Sequence, residues 1–344
     1  MKVLTFLRLF TAAIILTIAP AAVGSDVACA FKVIMITDTA GLGDKSFNDA
    51  GWAGIQLAKK KLGIEVGIIQ SYEQADYVPN LNLAAKNADA VVGMGYLLLD
   101  AMRKVAPLHP KTNFIFIDGN IADIPNIASF DFKAQEGAYL AGIIASAVTR
   151  TGLVGAVEGM EIPPVKVFEA GFRAGIKTYN ALKKKNVRLK VAAAGAFDNP
   201  SKGKSLAQTL IAQKADVVIQ MAGNTGTGVF EAVKEAPEGV FAMGTDLNQD
   251  AIIPGRVLTS VMKRIDIAAF QAIRDAREAR FMGGHYWIGL NEGAVSLTDM
   301  QYTRHLIPSH ALGMVEKAAK LIKQGKLLIP SVVKDVDGFR PPIL

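Results

Sequence analysis

Short apolar runs alternate with longer amphipathic stretches along most of the chain. Eight runs rich in aliphatic residues predict strands at residues 32–37, 65–70, 90–94, 114–118, 153–157, 189–193, 217–220 and 240–243. Their apolar character is nearly continuous, which is typical of parallel strands that are covered on both faces. The intervening stretches 48–62, 135–148, 166–179 and 201–213 predict helices. The alternation therefore predicts an α/β protein with doubly wound parallel sheets.

Two features of this pattern favour two lobes over one sheet. One open sheet of this type usually holds fewer strands, and 344 residues suit two domains of about 150 residues each. The alternation also pauses near residues 126–132 and 256–264, where β-prone runs stand in place of turn clusters. We therefore expect two lobes joined by more than one strand, a geometry suited to closure about a hinge. The predicted N-terminal lobe comprises residues 31–128 and 263–291, and the C-terminal lobe comprises 129–262 and 292–344.

The first thirty residues are typical of a secretory signal peptide. Basic residues precede an apolar run from 9 to 23 that is too short for a stable spanning helix. Residues 28–30 fit the small-residue cleavage rule, with cleavage after Gly24 as a weaker option. Acylation of Cys29 is an alternative, but Asp26 stands where acylation signals usually have a leucine-like residue. We expect a periplasmic protein without a lipid anchor.

Composition and charge exclude several classes of protein. A chain that is 51% hydrophobic and 20% charged is not disordered, and one cysteine cannot build a disulfide framework. The net charge of +7 suggests nucleic acid, but the basic residues are scattered and no nucleic-acid motif is present. The Gly-Lys-Ser at 203–205 lacks the glycine of a phosphate-binding loop, since Asp198 stands at that position. The four histidines have no metal-binding spacing, so we expect no nucleic acid, metal or cofactor.

Carboxylates and aromatic rings follow several of the predicted strands. Ligands of open α/β sheets bind beyond the carboxyl ends of the strands, and Asp38, Phe47, Asp131, Phe197 and Asp246 fall at such ends. Carboxylates accept hydrogen bonds from hydroxyls or ring N–H groups, and aromatic faces stack on flat rings. The set suits a polyhydroxylated ligand that carries a ring. Ser46 or Asn48 can cap the helix that follows the first of these loops, and a purely structural capping loop remains an alternative there.

Five segments, in their order along the chain, resemble the basic membrane protein (BMP) family. This family comprises substrate-binding proteins of ABC transporters and includes purine-nucleoside-binding lipoproteins. The resembling segments are residues 44–48, 71–73, 131–132, 136–142 and 244–246.

The resemblance implies a type I periplasmic-binding-protein fold with three interlobe crossings. It also implies roles for seven residues: Phe47 and Phe197 would sandwich a base, Asp38 and Asp131 would hydrogen-bond it, and Asp246, Lys263 and Gly223 would hold the ribose. Such a protein would deliver its ligand to ABC permease and ATPase subunits.

The function expected from these observations is that of an extracytoplasmic binding protein for a purine nucleoside, without catalytic residues. A sugar, a vitamin-like heterocycle or a free base is the alternative ligand, and a sensor of ligand is the alternative role. An exported nucleoside hydrolase is a more distant alternative. Its chemistry would need a calcium-binding aspartate cluster near the amino terminus, and Asp38 with Asp44 is too sparse.

Overall fold

The computed structural model describes residues 30–344, and its strands form two sheets of six. The first sheet is parallel throughout and has the order β11-β5-β4-β3-β1-β2. Its strands are β1 (Lys32–Ile36), β2 (Glu65–Ile69), β3 (Ala90–Met94), β4 (Asn113–Ile117), β5 (Ile127–Phe132) and β11 (Gly284–Ile288).

The second sheet has the order β12-β10-β9-β8-β6-β7 and is parallel except at β12, which runs antiparallel to β10. Its strands are β6 (Leu153–Glu158), β7 (Arg188–Ala193), β8 (Val217–Met221), β9 (Phe241–Asp246), β10 (Val257–Lys263) and β12 (Val295–Leu297). All eight predicted strands are present, and the two pauses in the pattern are β5 and β10.

Helices cover the faces of both sheets. They are α1 (Phe47–Leu62), α2 (Tyr77–Asn87), α3 (Leu99–Val105), α4 (Ala134–Val148), α5 (Pro163–Lys183), α6 (Pro200–Ala212), α7 (Thr227–Glu235), α8 (Ile265–Arg277) and α9 (Ser309–Lys323). The α4–α5 pair is the most closely packed because glycines let the two backbones touch. A Cβ atom on Gly175 would lie 2.1 Å from the carbonyl oxygen of Tyr139, so a larger residue would force the helices apart.

The chain crosses between the two sheets three times, which confirms the predicted two-lobe fold. The crossings follow β5, β10 and β11. The strand β5 continues to Phe132 in the first sheet, so the predicted lobe boundary after residue 128 falls inside a strand. Lys263 ends a strand of the second sheet, although the predicted boundary assigns it to the first lobe. In both places the strand continues up to the point at which the chain crosses to the other lobe.

Residues 1–29 of the predicted leader, which include Cys29, lie outside the described residues. Within residues 30–344, no helix is long and apolar enough to cross a membrane.

Candidate functional site

A cavity lies between the lobes, where the carboxyl ends of the two sheets face each other. The space between its walls is about 590 Å³, part of which is open to solvent. The first lobe contributes the loops after β1, β3 and β4, and the second lobe contributes the start of α5 and the loops after β7, β8 and β9. Both lobes therefore build the site, and their relative position controls access to it.

The cavity contains six of the seven residues that the sequence singles out. Asp38, Phe47, Phe197, Gly223, Asp246 and Lys263 line it. Asp131 lies elsewhere, on a neighbouring groove, where its Oδ2 is 2.9 Å from Nε2 of His285. Its place follows from strand pairing, because Asp131 and Trp287 are register partners in β5 and β11, with His285 two residues earlier on the same strand.

The loop before α1 is organised by Asp44, and the predicted capping role of Ser46 or Asn48 is wrong. The buried Asp44 carboxylate accepts hydrogen bonds from the backbone N–H groups of Ser46, Asn48 and Asp49 at 2.8–3.1 Å. These are among the N–H groups that a helix start leaves without intrahelical partners. Neither Ser46 nor Asn48 caps the helix, so both side chains are available for the cleft.

Asn48 and a backbone N–H hold Asp38 in the cavity wall. Asp38 Oδ1 accepts from Asn48 Nδ2 at 2.8 Å and from the backbone N–H of Ala40 at 3.0 Å. The second oxygen, Oδ2, is oriented towards Gly95, where a Cβ would come within 3.1 Å of it. Burial raises the pKa of Asp38 to about 6, although these two hydrogen bonds act in the opposite direction.

Hydrogen bonds of Ser46 and Gln249 join the rims of the lobes. Ser46 Oγ lies 2.7 Å from Asp246 Oδ2, to which it donates, and 3.3 Å from the carbonyl oxygen of Thr245. Gln249 Nε2 donates to the carbonyl oxygen of Lys45 at 2.9 Å. Ser46 and Lys45 belong to the first lobe, whereas Asp246 ends β9 in the second lobe and Gln249 follows it. The lobes are therefore closed upon each other.

Lys263 is the buried cation of the cavity and a third link between the lobes. Its side chain is 3% exposed, and its Nζ lies 2.6 Å from Asp118 Oδ2 and 3.8 Å from Asp246 Oδ1. The ammonium also lies 5.0 Å from the ring centre of Phe47, within cation–π range. Burial lowers the pKa of Lys263, but the carboxylates of Asp118 and Asp246 outweigh this effect and raise it. Lys263 is therefore charged in the closed cleft.

Asp118, the last residue of the predicted strand 114–118, is not among the expected site residues, yet it is central to the site. Burial raises its pKa to about 6 against the opposing effect of Lys263. Asp118 and Asp246 both follow or end strands with positive φ angles, 60° and 69°, a conformation that non-glycine residues adopt at an energetic cost. Such strain is often found at ligand sites. The strand-end rule applied to β4 would have found Asp118.

Each of the two phenylalanine rings lies against a glycine. Phe47 is the first residue of α1, and a Cβ on Gly95 would lie 3.5 Å from its ring. Phe197 follows β7, and a Cβ on Gly159 would lie 2.2 Å from its ring. Glycine at 159 therefore leaves the space that the Phe197 ring occupies. Both rings are half-buried and line the cavity.

Among residues 30–344, no three His, Cys, Asp or Glu side chains are grouped so that they could hold a metal ion. The cavity combines aromatic rings, several carboxylates and one ammonium group, and this combination suits a ring with polar substituents.

Comparisons with known proteins agree with this arrangement. The family model for PnrA-like ABC transporter substrate-binding proteins matches residues 31–322. The ABC transporter nucleoside-binding protein BmpA of Lactococcus lactis is 31% identical, over 87% of this chain and 89% of its own. An uncharacterized lipoprotein of Pyrococcus horikoshii is 34% identical, over 78% of this chain and 69% of its own. A crystal structure of an ABC transporter solute-binding protein from Aeropyrum pernix superimposes with a TM-score of 0.82 at 30% identity, covering 90% of this chain and 96% of that one.

Proposed function

The chain belongs to the PnrA-like family of ABC transporter substrate-binding proteins, and on that premise we propose that it binds a purine nucleoside and delivers it to an ABC permease. The observation that carries the proposal is the closed interlobe cavity, in which Phe47 and Phe197 accompany Asp38, Asp246 and Lys263. The nucleoside-binding name of the Lactococcus relative supports the same class of ligand.

The base would stack between Phe47 and Phe197. Stacking of a base on an aromatic side chain contributes roughly 1–3 kcal/mol. Asp38 keeps Oδ2 as an acceptor for a ring N–H, because both of its hydrogen bonds within the protein use Oδ1. A hydrogen bond to a charged carboxylate adds about 1.5–3 kcal/mol. Together these contacts favour a purine over an aliphatic ring.

The ribose would face Asp246 and Lys263, on the second lobe. A carboxylate accepts from two neighbouring hydroxyls, and an ammonium has three donors, of which Asp118 takes one. Gly223 has a φ of 54° and lies beside Phe197, so its backbone can approach the sugar. Asp131 is left out of this set, because its carboxylate lies on the neighbouring groove.

Closure supplies the transport signal in this proposal. Ligand enters the open cleft, and the interlobe contacts of Ser46, Gln249 and Lys263 form as the lobes close. The permease then recognises the closed form. No covalent bond changes, so the proposal includes no catalytic residue.

A thermal-shift screen followed by calorimetric titration tests the ligand. Adenosine, guanosine and inosine are compared with ribose, adenine and thiamine on protein that begins at Phe31. At a ligand concentration about 100-fold above Kd, binding adds roughly 2.7 kcal/mol to the free energy of unfolding. We expect at least one purine nucleoside to raise Tm while ribose and adenine do not. A shift with ribose or thiamine and none with any nucleoside would overturn the proposal.

Variants at the sugar end provide the matched comparison. Asp246→Ala should abolish nucleoside binding without unfolding the protein, because Asp246 makes its contacts in the cleft. Asp266→Ala is the control, since Asp266 pairs with Arg264 on the exposed start of α8. Equal affinities of the two variants would remove Asp246 from the site. Chromatography of the titrated nucleosides also tests the alternative of a hydrolase, which would release free base.

We propose that the protein acts outside the cytoplasm after loss of residues 1–30. The lipoprotein name of the Pyrococcus relative supports the alternative of an anchor at Cys29. The intact mass of the exported protein distinguishes the two, because an amino terminus at Phe31 and an acylated Cys29 differ in mass.

A further inference from the structure

A second, larger space adjoins the ligand cavity on the side where the chain crosses between the lobes. It encloses about 1760 Å³, much of it open to solvent. We call it the hinge-side groove and define it by Tyr96, Asp131, Phe132, His285, Trp287 and Val332. Strands β5 and β11 form one wall, and the start of α5 and the segment 331–334 form the other.

The groove and the cavity adjoin and share part of their walls. Tyr96, Asp118, Pro164 and Lys263 line both spaces. The Lys263–Asp118 ion pair therefore stands at the boundary between them. Whatever part of a ligand contacts Lys263 in the cavity lies at the entrance to the groove.

Apart from Lys334, the charged side chains that line the groove are held in ion pairs or a hydrogen bond. Asp131 contacts His285 at 2.9 Å, and Lys166 lies within 2.9 Å of the carboxylates of Glu158, Glu161 and Glu169. These pairs satisfy charges that would otherwise favour a charged occupant.

The apolar walls, in contrast, remain open to solvent. Trp287 is 47% exposed and Val332 is 44% exposed. Trp287 lies on the edge strand β11 at the register position of Asp131, and the ammonium of Lys133 lies 5.6 Å from its ring centre. An exposed apolar surface that continues a binding cavity indicates contact with a ligand.

We propose that the cleft accepts purine nucleosides with an apolar substituent on the sugar, and that this substituent lies in the hinge-side groove against Trp287. This inference rests on the proposed function, which turns the sugar towards Asp246 and Lys263. A carboxylate holds two neighbouring hydroxyls, so the 5′ carbon is the position that remains for the substituent. A phosphate there would meet the carboxylates of Asp118 and Asp131, and an alkyl thioether would meet the apolar walls. The ammonium groups of Lys166 and Lys263, which also line the groove, are already bound by carboxylates.

Titration with a series of 5′-thioethers tests this inference. The parent is whichever of adenosine, guanosine and inosine binds most tightly, and the probes are its 5′-methylthio, 5′-butylthio and 5′-monophosphate derivatives. We expect the butylthio derivative to bind within about tenfold of the parent (~1.4 kcal/mol) and the monophosphate to bind much more weakly. The chain has two tryptophans, so Trp52→Phe leaves Trp287 as the single tryptophan. Its emission should change more with the butylthio derivative than with the parent, which closes the lobes without filling the groove.

Truncation of Trp287 separates groove contact from cavity contact. Trp287→Ala should weaken binding of the butylthio derivative and leave the affinity for the parent nucleoside unchanged. Leu83→Ala is the control, because Leu83 is 54% exposed on α2 and lines neither space. A loss of affinity of more than about tenfold on adding the butyl group would overturn the inference. So would binding of the butylthio derivative that neither changes the emission of Trp287 nor is weakened by Trp287→Ala. If no nucleoside binds at all, the proposed function fails as well, so the two failures are distinguishable.

Discussion

Replacement of Lys263 by methionine should open the cleft more than it unfolds the protein. The substitution keeps an unbranched apolar chain and removes the ammonium that lies 2.6 Å from Asp118 and 3.8 Å from Asp246. Both carboxylates then face each other across the cleft without a cation. Because they belong to different lobes, opening returns them to water while each lobe keeps its own sheet.

The size of the effect follows from the burial of the pair. Removing one partner of a buried ion pair typically costs ~3–5 kcal/mol. The groove on one side of Lys263 lets water approach, so we expect about 3 kcal/mol, or roughly a hundredfold rise in Kd for the nucleoside. Calorimetric titration measures Kd, and small-angle X-ray scattering of ligand-free protein measures the opening of the lobes.

A double-mutant cycle separates this effect from loss of a ligand contact. Asp118→Asn in the Lys263→Met background removes the uncompensated carboxylate and should recover part of the affinity. Lys204→Met is the control, since Lys204 pairs with Glu235 at the protein surface, where water and salt screen the interaction. If the double variant binds as weakly as Lys263→Met and the lobes stay closed, the interlobe account of Lys263 is wrong.

Three further perturbations address other parts of the site. Phe197→Ala should weaken nucleoside binding by roughly 1–3 kcal/mol, as measured by titration. It should leave the ligand-free Tm nearly unchanged in calorimetry, because the ring is half-exposed. An equal loss of binding free energy and of ligand-free stability would contradict stacking. Gln249→Glu keeps the acceptor for the backbone N–H of Thr245 but removes the donor to the carbonyl oxygen of Lys45. X-ray scattering should therefore show opening of the lobes, and Kd for the nucleoside should rise although Gln249 lies outside the cavity. An unchanged Kd would refute the role of this rim contact. Burial raises the Asp38 pKa from 3.8 to about 6, so between these pH values the folded state binds more protons than the unfolded chain. Ligand-free stability should therefore rise as pH falls through this window, while affinity for inosine, which donates an N–H, should fall. Asp38→Asn should lessen the slope of both profiles, although Asp118, whose pKa is also raised to about 6, keeps its own contribution to stability. Slopes equal to those of the unchanged protein would exclude Asp38 as the acceptor.

The sheets could be predicted from sequence because most of their strands are buried on both faces. Runs such as Ala90–Met94 are apolar at every position, and burial in a doubly wound sheet requires this. The strands β11 and β12 were not predicted. β11 lies at a sheet edge and is half-exposed, and β12 has only three residues, so neither carries the continuous apolar signal.

The site was only partly predictable because sequence position does not determine side-chain direction. The strand-end rule placed Asp38 and Asp246 at the correct edge of each sheet. It also indicated Asp131, whose side chain faces His285 through pairing of β5 with β11, a strand that the sequence did not reveal. The capping role expected of Ser46 or Asn48 belongs to Asp44, since only the folded loop shows which side chain meets the N–H groups of α1.

The most direct test of the central claim is a crystal structure of the protein grown with its tightest-binding purine nucleoside. The account predicts a base between Phe47 and Phe197 and a sugar against Asp246 and Lys263, with the lobes closed. Density for the nucleoside outside the interlobe cavity, or a base that touches neither ring, would contradict it.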